Sequence, residues 1–425
     1  MYHKEKSIQI KSSASALYNN LSVLPIAERS LTYFTVVHGN VVNMVSASGD
    51  GLNFSHRQLQ SKEGSIAASS SLIIQASWCV LPSRVLLVLT SQKGIQMYES
   101  DGSIMVYWHA LDIPETPTAQ AVFARGIAAA RGNYICVGTS CGSVLVFDVP
   151  SKGSNITLSE VLEEHREPIT DIASESSRNE DGMADLVTAD DSGLLCVWKS
   201  GEDFSLVNKI PAYGLYSVVS APEMPHTSPA HSTCKSIKRK SGKYSFHGTA
   251  VAVVLVWQEN QQRQLKHCPA GMLSCQDAST GGQQWNSQNM ISLSTPAKTF
   301  TARCSCSSVK LWCGVVVAGY GSGQIRLYDG VSGSVYAEVN AHARWIYALD
   351  VAPDTGTLLS GAEDSLVRIW KFSRTPETDR IEIEHRHTEC VTDVQICGAK
   401  FCDSEGNAFA VTGYDLSEII RYTLV

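Results

Sequence analysis

A strand-turn-strand hairpin recurs seven times along the 425 residues of the sequence. Each copy has an apolar strand, a turn of small residues and an alternating strand, and six of the seven end in an aromatic residue. Short runs of Val, Ile and Leu between Gly, Asp and Ser turns are typical of antiparallel strands. The recurrence therefore predicts an all-β repeat architecture. The copies span 34–45, 85–98, 134–147, 185–198, 314–328, 357–370 and 407–422.

The spacing of the hairpins is regular except at one place. Equivalent positions in the second strand lie 42 to 54 residues apart in five of the six intervals. The remaining interval, from Thr188 to Ala318, is 130 residues long. Removing residues 217–303 from it leaves repeat units of about 48 residues throughout. We therefore expect one domain formed by 1–216 and 304–425, interrupted by an insertion at 217–303.

A histidine precedes three of the hairpins, and an Ile or Val follows it four residues later. These histidines are His165, His342 and His387. This order, a histidine upstream of a hairpin that ends in Trp or Tyr, resembles the repeat pattern of the WD-repeat family. The resemblance implies a single seven-bladed WD-repeat β-propeller, with four-stranded blades around a central channel and a largely disordered insertion between two blades. We also expect a strand from within residues 7–24 to complete the last blade, because this avoids two exposed edges.

The same resemblance implies a buried hydrogen-bond network inside three blades. A loop histidine, a second-strand hydroxyl, a turn aspartate and the closing aromatic residue need each other as partners where water is excluded. The complete set consists of His342, Ser360, Asp364 and Trp370. A second set, with Ser192 at the usual aspartate position, consists of His165, Thr188, Asp191 and Trp198. A third set, with Leu416 at that position, consists of His387, Thr412, Asp415 and Tyr422.

Composition limits the kinds of function. With 34 Lys and Arg against 41 Asp and Glu, the net charge is −7, which argues against a nucleic-acid-binding surface. The longest apolar run, 250–257, is far shorter than the roughly 20 residues of a spanning helix. We therefore expect no transmembrane segment, and membrane association only through partners. The polar N-terminus lacks a secretory signal, so the 13 cysteines are expected to be reduced thiols in the cytoplasm.

The sequence offers no catalytic, cofactor-binding or metal-binding motif. Gly319, Gly321 and Gly323 superficially resemble a phosphate-binding loop, but a strand follows them where a helix would be required, so a hairpin turn is expected. The closest cysteine pairs, at 304/306 and 397/402, have neither a second pair nor histidines at zinc-finger spacing. No nucleophile elbow, Walker loop or zinc-protease motif occurs. We expect no enzyme activity, no cofactor and no metal.

The expected insertion at 217–303 differs in composition from its surroundings. Nine Lys and Arg accompany three Asp and Glu, and Ser, Gln, Pro and His are frequent, which favours low order. Its basic cluster, 235–243, is either a solvated loop or a nuclear-localisation or acidic-partner site. Its apolar run, 250–257, is either an added edge strand or an exposed adhesive segment. A product of alternative splicing or mistranslation is a third interpretation of the segment.

The expected function is that of a non-enzymatic scaffold or adaptor. By resemblance, WD-repeat propellers present rigid loop-lined faces to other proteins or peptides in cytoplasmic assemblies. Because the outward strand of each blade has limited protection, self-association into a homo-oligomer is included in this expectation. The expected setting is a signalling assembly in the cytoplasm, at vesicles or at the plasma membrane. The alternative is a substrate receptor of a ubiquitin ligase, although Lys, and not the Asp of such receptors, follows Trp198 and Trp370.

Overall fold

The computed structural model describes residues 1–48, 54–61, 71–111, 122–175, 184–211, 304–375 and 381–425. In these ranges 29 strands form seven antiparallel sheets, and one 3-10 turn, Ala27–Arg29, connects two strands of the first blade. The chain divides into two compact units, Met1–Leu215 with Phe300–Val425 and Tyr216–Thr299, and every described strand belongs to the first. The expected insertion at 217–303, with its segments 235–243 and 250–257, lies outside the described residues.

The described strands form seven blades in chain order. Two short strands come first, β1 (Tyr2–Lys4) and β2 (Ile8–Gln9). Strands are given from the inner to the outer edge of each blade. Blade 1 consists of β3 (Ser22–Ile26), β4 (Leu31–His38), β5 (Val41–Ser48) and β6 (Phe54–Gln60), and blade 2 consists of β7 (Ile73–Val80), β8 (Val85–Ser91), β9 (Gly94–Glu99) and β10 (Met105–Ala110). Blade 3 consists of β11 (Ala124–Ala130), β12 (Tyr134–Thr139), β13 (Val144–Asp148) and β14 (Thr157–Leu162).

The second half of the ring repeats this order. Blades 4 to 6 are β15 (Ile169–Ser174), β16 (Leu186–Asp190), β17 (Leu195–Lys199) and β18 (Ser205–Ile210); β19 (Cys306–Trp312), β20 (Val315–Tyr320), β21 (Gln324–Asp329) and β22 (Val335–Asn340); and β23 (Ile346–Ala352), β24 (Thr357–Ala362), β25 (Leu366–Arg374) and β26 (Ile381–Cys390). Blade 7 is β27 (Ile396–Phe401), β28 (Ala408–Gly413) and β29 (Glu418–Leu424), completed by β1 and β2. The seven-bladed propeller predicted from the sequence is confirmed.

The two ends of the chain meet in blade 7. Tyr2 pairs with Leu424 and Ile8 pairs with Ile419, so β1 and β2 together cover the outer edge of β29. β2 lies within the range 7–24 from which a closing strand is predicted, whereas β1 lies before it and begins at Tyr2. Residues 22–24, at the end of that range, belong to β3, the inner strand of blade 1. Joining both termini in one sheet leaves β29 without an exposed edge.

Each junction between neighbouring blades has its own hydrophobic core. Seven buried clusters are present, and each combines residues from two adjacent blades. The cluster that joins blades 7 and 1 contains Ile8 and Ile419 together with Phe34. A sheet that is apolar on both faces explains the continuous Val, Ile and Leu runs of the inner and middle strands. Because each cluster is shared by two neighbouring blades, every blade contributes to two of the hydrophobic cores that hold the ring together.

A glycine with positive φ permits the tight turn after the second strand of several blades. At Gly323, φ is +83°, and a Cβ there would lie 2.1 Å from the carbonyl oxygen of His342. Only glycine fits such a position without displacing backbone. The run at 319–323 therefore belongs to strand β20 and the turn after it, as its hairpin interpretation requires.

The ten described cysteines are all free thiols. Burial raises the pKa of the Cys79 and Cys196 thiols to about 12, so both remain protonated. They act as small apolar residues in the strands. Within the described ranges, no helix has the length and apolar character required to cross a membrane.

Candidate functional site

The structure brings together all four members of the predicted network in blade 6. His342 Nε2 lies 2.8 Å from the Ser360 hydroxyl oxygen, which also accepts a 3.0 Å hydrogen bond from Trp370 Nε1. On the other side of the ring, His342 Nδ1 lies 3.0 Å from Asp364 Oδ1. A neutral imidazole with its proton on Nδ1 satisfies every group, because Nδ1–H donates to the carboxylate and Nε2 accepts from the hydroxyl.

Electrostatics agree with this arrangement. Burial lowers the pKa of His342, although the hydrogen bond to Asp364 opposes that effect. Burial alone would raise the pKa of Asp364, but its hydrogen bonds and its proximity to His342 hold it below the usual value. Asp364 also accepts hydrogen bonds from the backbone N–H groups of Ala343 and Leu366. It therefore fastens the loop before β23 to the turn before β25, which is a structural role.

The second network forms in blade 4, but with a different aspartate. His165 Nε2 lies 2.7 Å from Thr188 Oγ1, which accepts a 3.0 Å hydrogen bond from Trp198 Nε1. His165 Nδ1 lies 2.9 Å from Oδ2 of Asp190, and not from Asp191 as predicted. The assignment of Asp191 was wrong because alternate residues of a strand share a face, and Asp190 stands two residues after Thr188 in β16.

Asp191 lies outside this network. It is exposed in the turn after β16, where one carboxylate oxygen accepts a 2.6 Å hydrogen bond from Ser305 Oγ. Asp190 is buried, and its Oδ1 also accepts hydrogen bonds from the Ser192 hydroxyl and from the backbone N–H of Leu194. Despite its burial, the pKa of Asp190 is held low by hydrogen bonds from His165 and Ser192.

The four members of the third predicted set do not come together. His387 lies within β26 and not in a loop between blades, because that outer strand runs for ten residues. Its Nε2 contacts Glu389 Oε1 at 2.5 Å, while Tyr422 stacks on Phe409 with ring centroids 4.7 Å apart. The predicted network of blade 7 is therefore wrong.

The N-terminal segment takes the place of that network. The Thr412 hydroxyl donates a 2.9 Å hydrogen bond to the carbonyl oxygen of Asn20. Asp415 has a left-handed backbone, with φ +58°, and its N–H donates to the carbonyl of Ala14 at 2.9 Å. Both residues thus hold the chain that leads from the closing strand into blade 1.

Residues 14–21 continue across one end of the central channel. The N–H of Ser15 donates to Val37 in blade 1, and that of Asn20 donates to Cys397 in blade 7. The N–H of Asn19 reaches the carbonyl of Tyr347 in blade 6 at 2.8 Å. The segment therefore enters between blades 7 and 1 and extends toward the opposite side of the ring.

Tyr18 and Asn19 contact the blades on that far side. The Asn19 amide donates a 3.0 Å hydrogen bond to Asp171 in blade 4, and its oxygen accepts one from Ser308 in blade 5. The guanidinium of Arg125 in blade 3 lies 4.4 Å from the centre of the Tyr18 ring. A segment that contacts blades 3 to 7 and blade 1 lies on the channel axis. The chain thus covers its own channel mouth where the inner strands begin.

The other end of the channel contains a cavity of about 370 Å³. Lys310, Asp350 and Lys400 line it from three different inner strands, and Lys400 Nζ lies 2.9 Å from Asp350 Oδ1. A smaller cavity is lined by both lysines and by Asn19 of the covering segment. Sequence reasoning missed these residues. The available signal is that each is the only charged residue in its inner strand.

The outer strands of blades 3 and 4 expose apolar side chains. Leu158 and Val161 of β14 and Leu206 and Val207 of β18 are each 37–41% exposed. Two contacts join these edges: Phe204 N–H donates to Glu160 at 3.1 Å, and the Lys209 ammonium pairs with Glu164. We call the exposed side chains Leu158, Val161, Leu206 and Val207 the apolar rim.

Metal-ligating side chains do not converge in the part of the chain that the structure describes. No group of three or more His, Cys, Asp or Glu residues there could hold a metal ion. The histidines and aspartates of blades 4 and 6 are instead satisfied by hydrogen bonds within their blades. The channel cavity and the apolar rim are therefore the two candidate functional surfaces.

Sequence comparison finds relatives along the whole chain. A family model, WDR54, matches residues 1–222 and 245–425. Two relatives, WD repeat-containing protein 54 of Mus musculus and of Homo sapiens, are each 46% identical to it, covering 100% of both chains. The segment outside the family model, 223–244, is shorter than the expected insertion 217–303. Full-length alignment also argues against a splicing or translation artefact.

Structural comparison finds WD-repeat propellers. The WD40 β-propeller domain of Doa1 has a TM-score of 0.54 at 10% identity and covers 100% of this chain and 97% of its own. The RRP9 WD40 repeats have a TM-score of 0.55 at 14% identity, with coverages of 98% and 100%. A chain of the Mitotic Checkpoint Complex has a TM-score of 0.58 at 10% identity, with coverages of 99% and 91%. These likenesses show the fold alone.

Proposed function

Because the chain belongs to the family of WD repeat-containing protein 54, we propose that it is a non-enzymatic scaffold that binds partner proteins and a second copy of itself through the apolar rim. WD-repeat propellers generally serve as protein-interaction scaffolds. The observation that carries the proposal is the exposure of four apolar side chains on two neighbouring outer strands.

The outer strand of a blade is a natural docking edge. It presents unpaired N–H and C=O groups, to which another strand can add. Charged side chains protect such an edge in β26, where Glu384 and Arg386 are exposed. Among the other described outer strands, β6, β10 and β22 each expose one large apolar side chain, whereas β14 and β18 each expose two. These two edges therefore favour association.

The covered channel mouth also directs binding toward the rim. Residues 14–21 occupy the end of the channel where the inner strands begin, and Asn19 is buried there against three blades. A partner at that mouth would have to displace hydrogen bonds that the fold already makes. The rim requires no such displacement, and two copies can pair the same surface about a two-fold axis.

We also propose that the protein works in the cytoplasm and reaches vesicle or plasma membranes through its partners. Free buried thiols suit a reducing compartment. Fractionation of cells should recover it with cytosolic proteins, and partner depletion should remove any membrane-bound share. Recovery in membranes after every bound protein has been stripped would contradict this proposal.

Self-association can be tested by light scattering over a concentration series. We expect the mass to rise above the 46.0 kDa of one chain as concentration increases. The double variant Leu158→Lys/Leu206→Lys should remain at the mass of one chain, because two charges on the docking edges oppose strand addition. Loss of association in this variant would support the apolar rim as the interface.

The control variant is Glu384→Lys, which changes the net charge equally but lies on the outer strand of blade 6. It should associate like the unchanged chain. A chain that stays monomeric at all concentrations, or a double variant that associates as strongly as the control, would refute the proposed self-association.

A further inference from the structure

Two lysines reach the channel cavity from inner strands that are otherwise uncharged. Lys310 lies on β19, whose sequence is CSSVKLW, and Lys400 lies on β27, whose sequence is ICGAKF. Both line the larger cavity and the smaller one beside Asn19. Ammonium groups surrounded by apolar strands are costly unless a counter-charge or acceptor is present. Each of these two lysines therefore needs a counter-charge or a hydrogen-bond acceptor.

The carboxylates of the channel are already engaged by other donors. Asp350 accepts hydrogen bonds from Lys400 and from the Phe401 N–H, both at 2.9 Å. Asp171 Oδ2 accepts hydrogen bonds from the Asn19 amide and the Val309 N–H, and the Ser308 hydroxyl is shared between it and the Asn19 oxygen.

Glu175, at the cavity wall, accepts a 2.8 Å hydrogen bond from the Cys313 N–H. Among the residues that the structure describes, none offers an acceptor within hydrogen-bond distance of the Lys310 ammonium. The Lys310 ammonium is thus the channel cation whose hydrogen bonds remain available.

The pKa of Lys310 agrees with the absence of a described acceptor beside its ammonium group. Burial, followed by repulsion from the Lys400 ammonium, lowers the pKa of Lys310 to about 8, while Asp171 and Asp350 act in the opposite direction; contact with the Lys400 side chain lowers the pKa further. An anion that contacts both lysine nitrogens would offset their repulsion. It would also supply the missing acceptor for Lys310.

The cavity has the size and lining of a small-molecule site. Its volume of about 370 Å³ falls within the range of ligand pockets, which begins near 300 Å³. Apolar residues, including Ile127, Ile172, Leu311 and Val351, share the wall with the two lysines, Asp350 and Glu175. This mixed lining can contact both the charged head group and the apolar body of an organic anion.

We infer that the channel binds a small organic anion. Its carboxylate or phosphate group bridges Lys310 and Lys400, and its apolar body lies against Ile127 and Leu311. This site goes beyond the scaffold function, because it lies inside the ring and not on the apolar rim. A lysine pair suits either head group, since an ammonium binds oxyanions as a point charge.

The test is calorimetric titration of the full chain at pH 7 with four probes: benzoate, phenyl phosphate, acetate and inorganic phosphate. We expect saturable one-to-one binding of an aromatic probe, tighter than that of the bare anion with the same head group. Comparison of benzoate with phenyl phosphate identifies the preferred head group. In Lys310→Met the affinity should fall about tenfold or more, as expected when a charge-assisted hydrogen bond is lost.

The matched control is Lys152→Met, which removes the same charge from an exposed turn and should leave the affinity unchanged. Lys310→Met should still fold, because Met has similar length and Lys400 keeps its hydrogen bond to Asp350. Absence of saturable binding by all four probes, or equal affinity in Lys310→Met, would overturn the inference.

A second measurement needs only the unchanged chain. Acetic anhydride at pH 8 modifies lysines whose amine is deprotonated, and mass spectrometry reports the rate at Lys310. The tightest-binding probe should slow modification of Lys310 and leave that of Lys152 unaffected. Modification of Lys310 at the same rate with and without the probe would also overturn the inference.

Discussion

Two consecutive aspartates in blade 4 have opposite surroundings. Asp190 ends strand β16 with its side chain buried against His165, whereas Asp191 is exposed in the following turn. Four hydrogen bonds, from His165, Ser192 and Leu194, converge on the Asp190 carboxylate. The Asp190 carboxylate is therefore required for the stability of the fold, whereas Asp191 can be replaced.

We predict that Asp190→Ala lowers the free energy of unfolding by about 1–3 kcal/mol, because it leaves buried donors without an acceptor. The control Asp191→Ala should change it by no more than about 0.5 kcal/mol, as at most surface positions. Urea denaturation followed by tryptophan fluorescence measures both values. Equal losses in the two variants would show that Asp190 has no special role.

The same pair shows what sequence spacing can and cannot resolve. In blade 6, the order of His342, Ser360, Asp364 and Trp370 matches the WD-repeat pattern, and the structure places all four in contact. In blade 4 Ser192 takes the usual aspartate position, two aspartates precede it, and only strand alternation distinguishes Asp190 from Asp191. A spacing rule identifies residue types in order, whereas the strand decides which of them face inward.

At the level of elements, the closing strand depends on a few residues near the N-terminus. Tyr2 is buried, its hydroxyl donates to the carbonyl of Gly406, and its ring lies 5.0 Å from Phe409 and 5.5 Å from His387. Tyr2 therefore packs β1 against β28 of its own blade and against β26 of blade 6. His3, the next residue, is exposed on the same strand.

We predict that Tyr2→Ala lowers the free energy of unfolding by about 3–5 kcal/mol, as expected for loss of a large buried aromatic ring. Tyr2→Phe should lose only about 1 kcal/mol, because it removes one hydrogen bond and keeps the packing. Thermal and urea denaturation provide the comparison, with His3→Ala as a control of little expected effect. A Tyr2→Ala variant as stable as His3→Ala would mean that β1 does not close the ring.

Element length explains the remaining error of sequence reasoning. His387 has the family's spacing from Tyr422, but β26 extends to Cys390 and retains His387 in the outer strand. Nothing in the local sequence ends that strand earlier, since Thr388 and Cys390 continue its extended pattern. Lys310, Asp350 and Lys400, by contrast, were detectable as single charges in apolar strands.

On the scale of the whole molecule, the ring is complete without the segment between blades 4 and 5. Ile210 at the end of β18 and Cys306 at the start of β19 belong to the same hydrophobic cluster. Without 217–303, residues 211–216 and 304–305 would connect these strands. This connection would be two to three residues longer than those before β15 and β23, which consist of 163–168 and 341–345.

We therefore predict that deleting 217–303 preserves a single cooperative unfolding transition. Described residues on either side of the segment, Ile210 and Cys306, already share one hydrophobic cluster, and loop length changes the free energy of closure by only about 0.6 kcal/mol per doubling. Differential scanning calorimetry of the full chain, this deletion and a deletion of 223–244 provides the test. Because the family model matches 245–303 but not 223–244, comparison of the two deletions separates the contribution of the matched segment to stability from that of the unmatched one. Equal melting behaviour of all three chains supports an autonomous propeller, and failure of the longer deletion alone to fold would place residues of the matched segment within it.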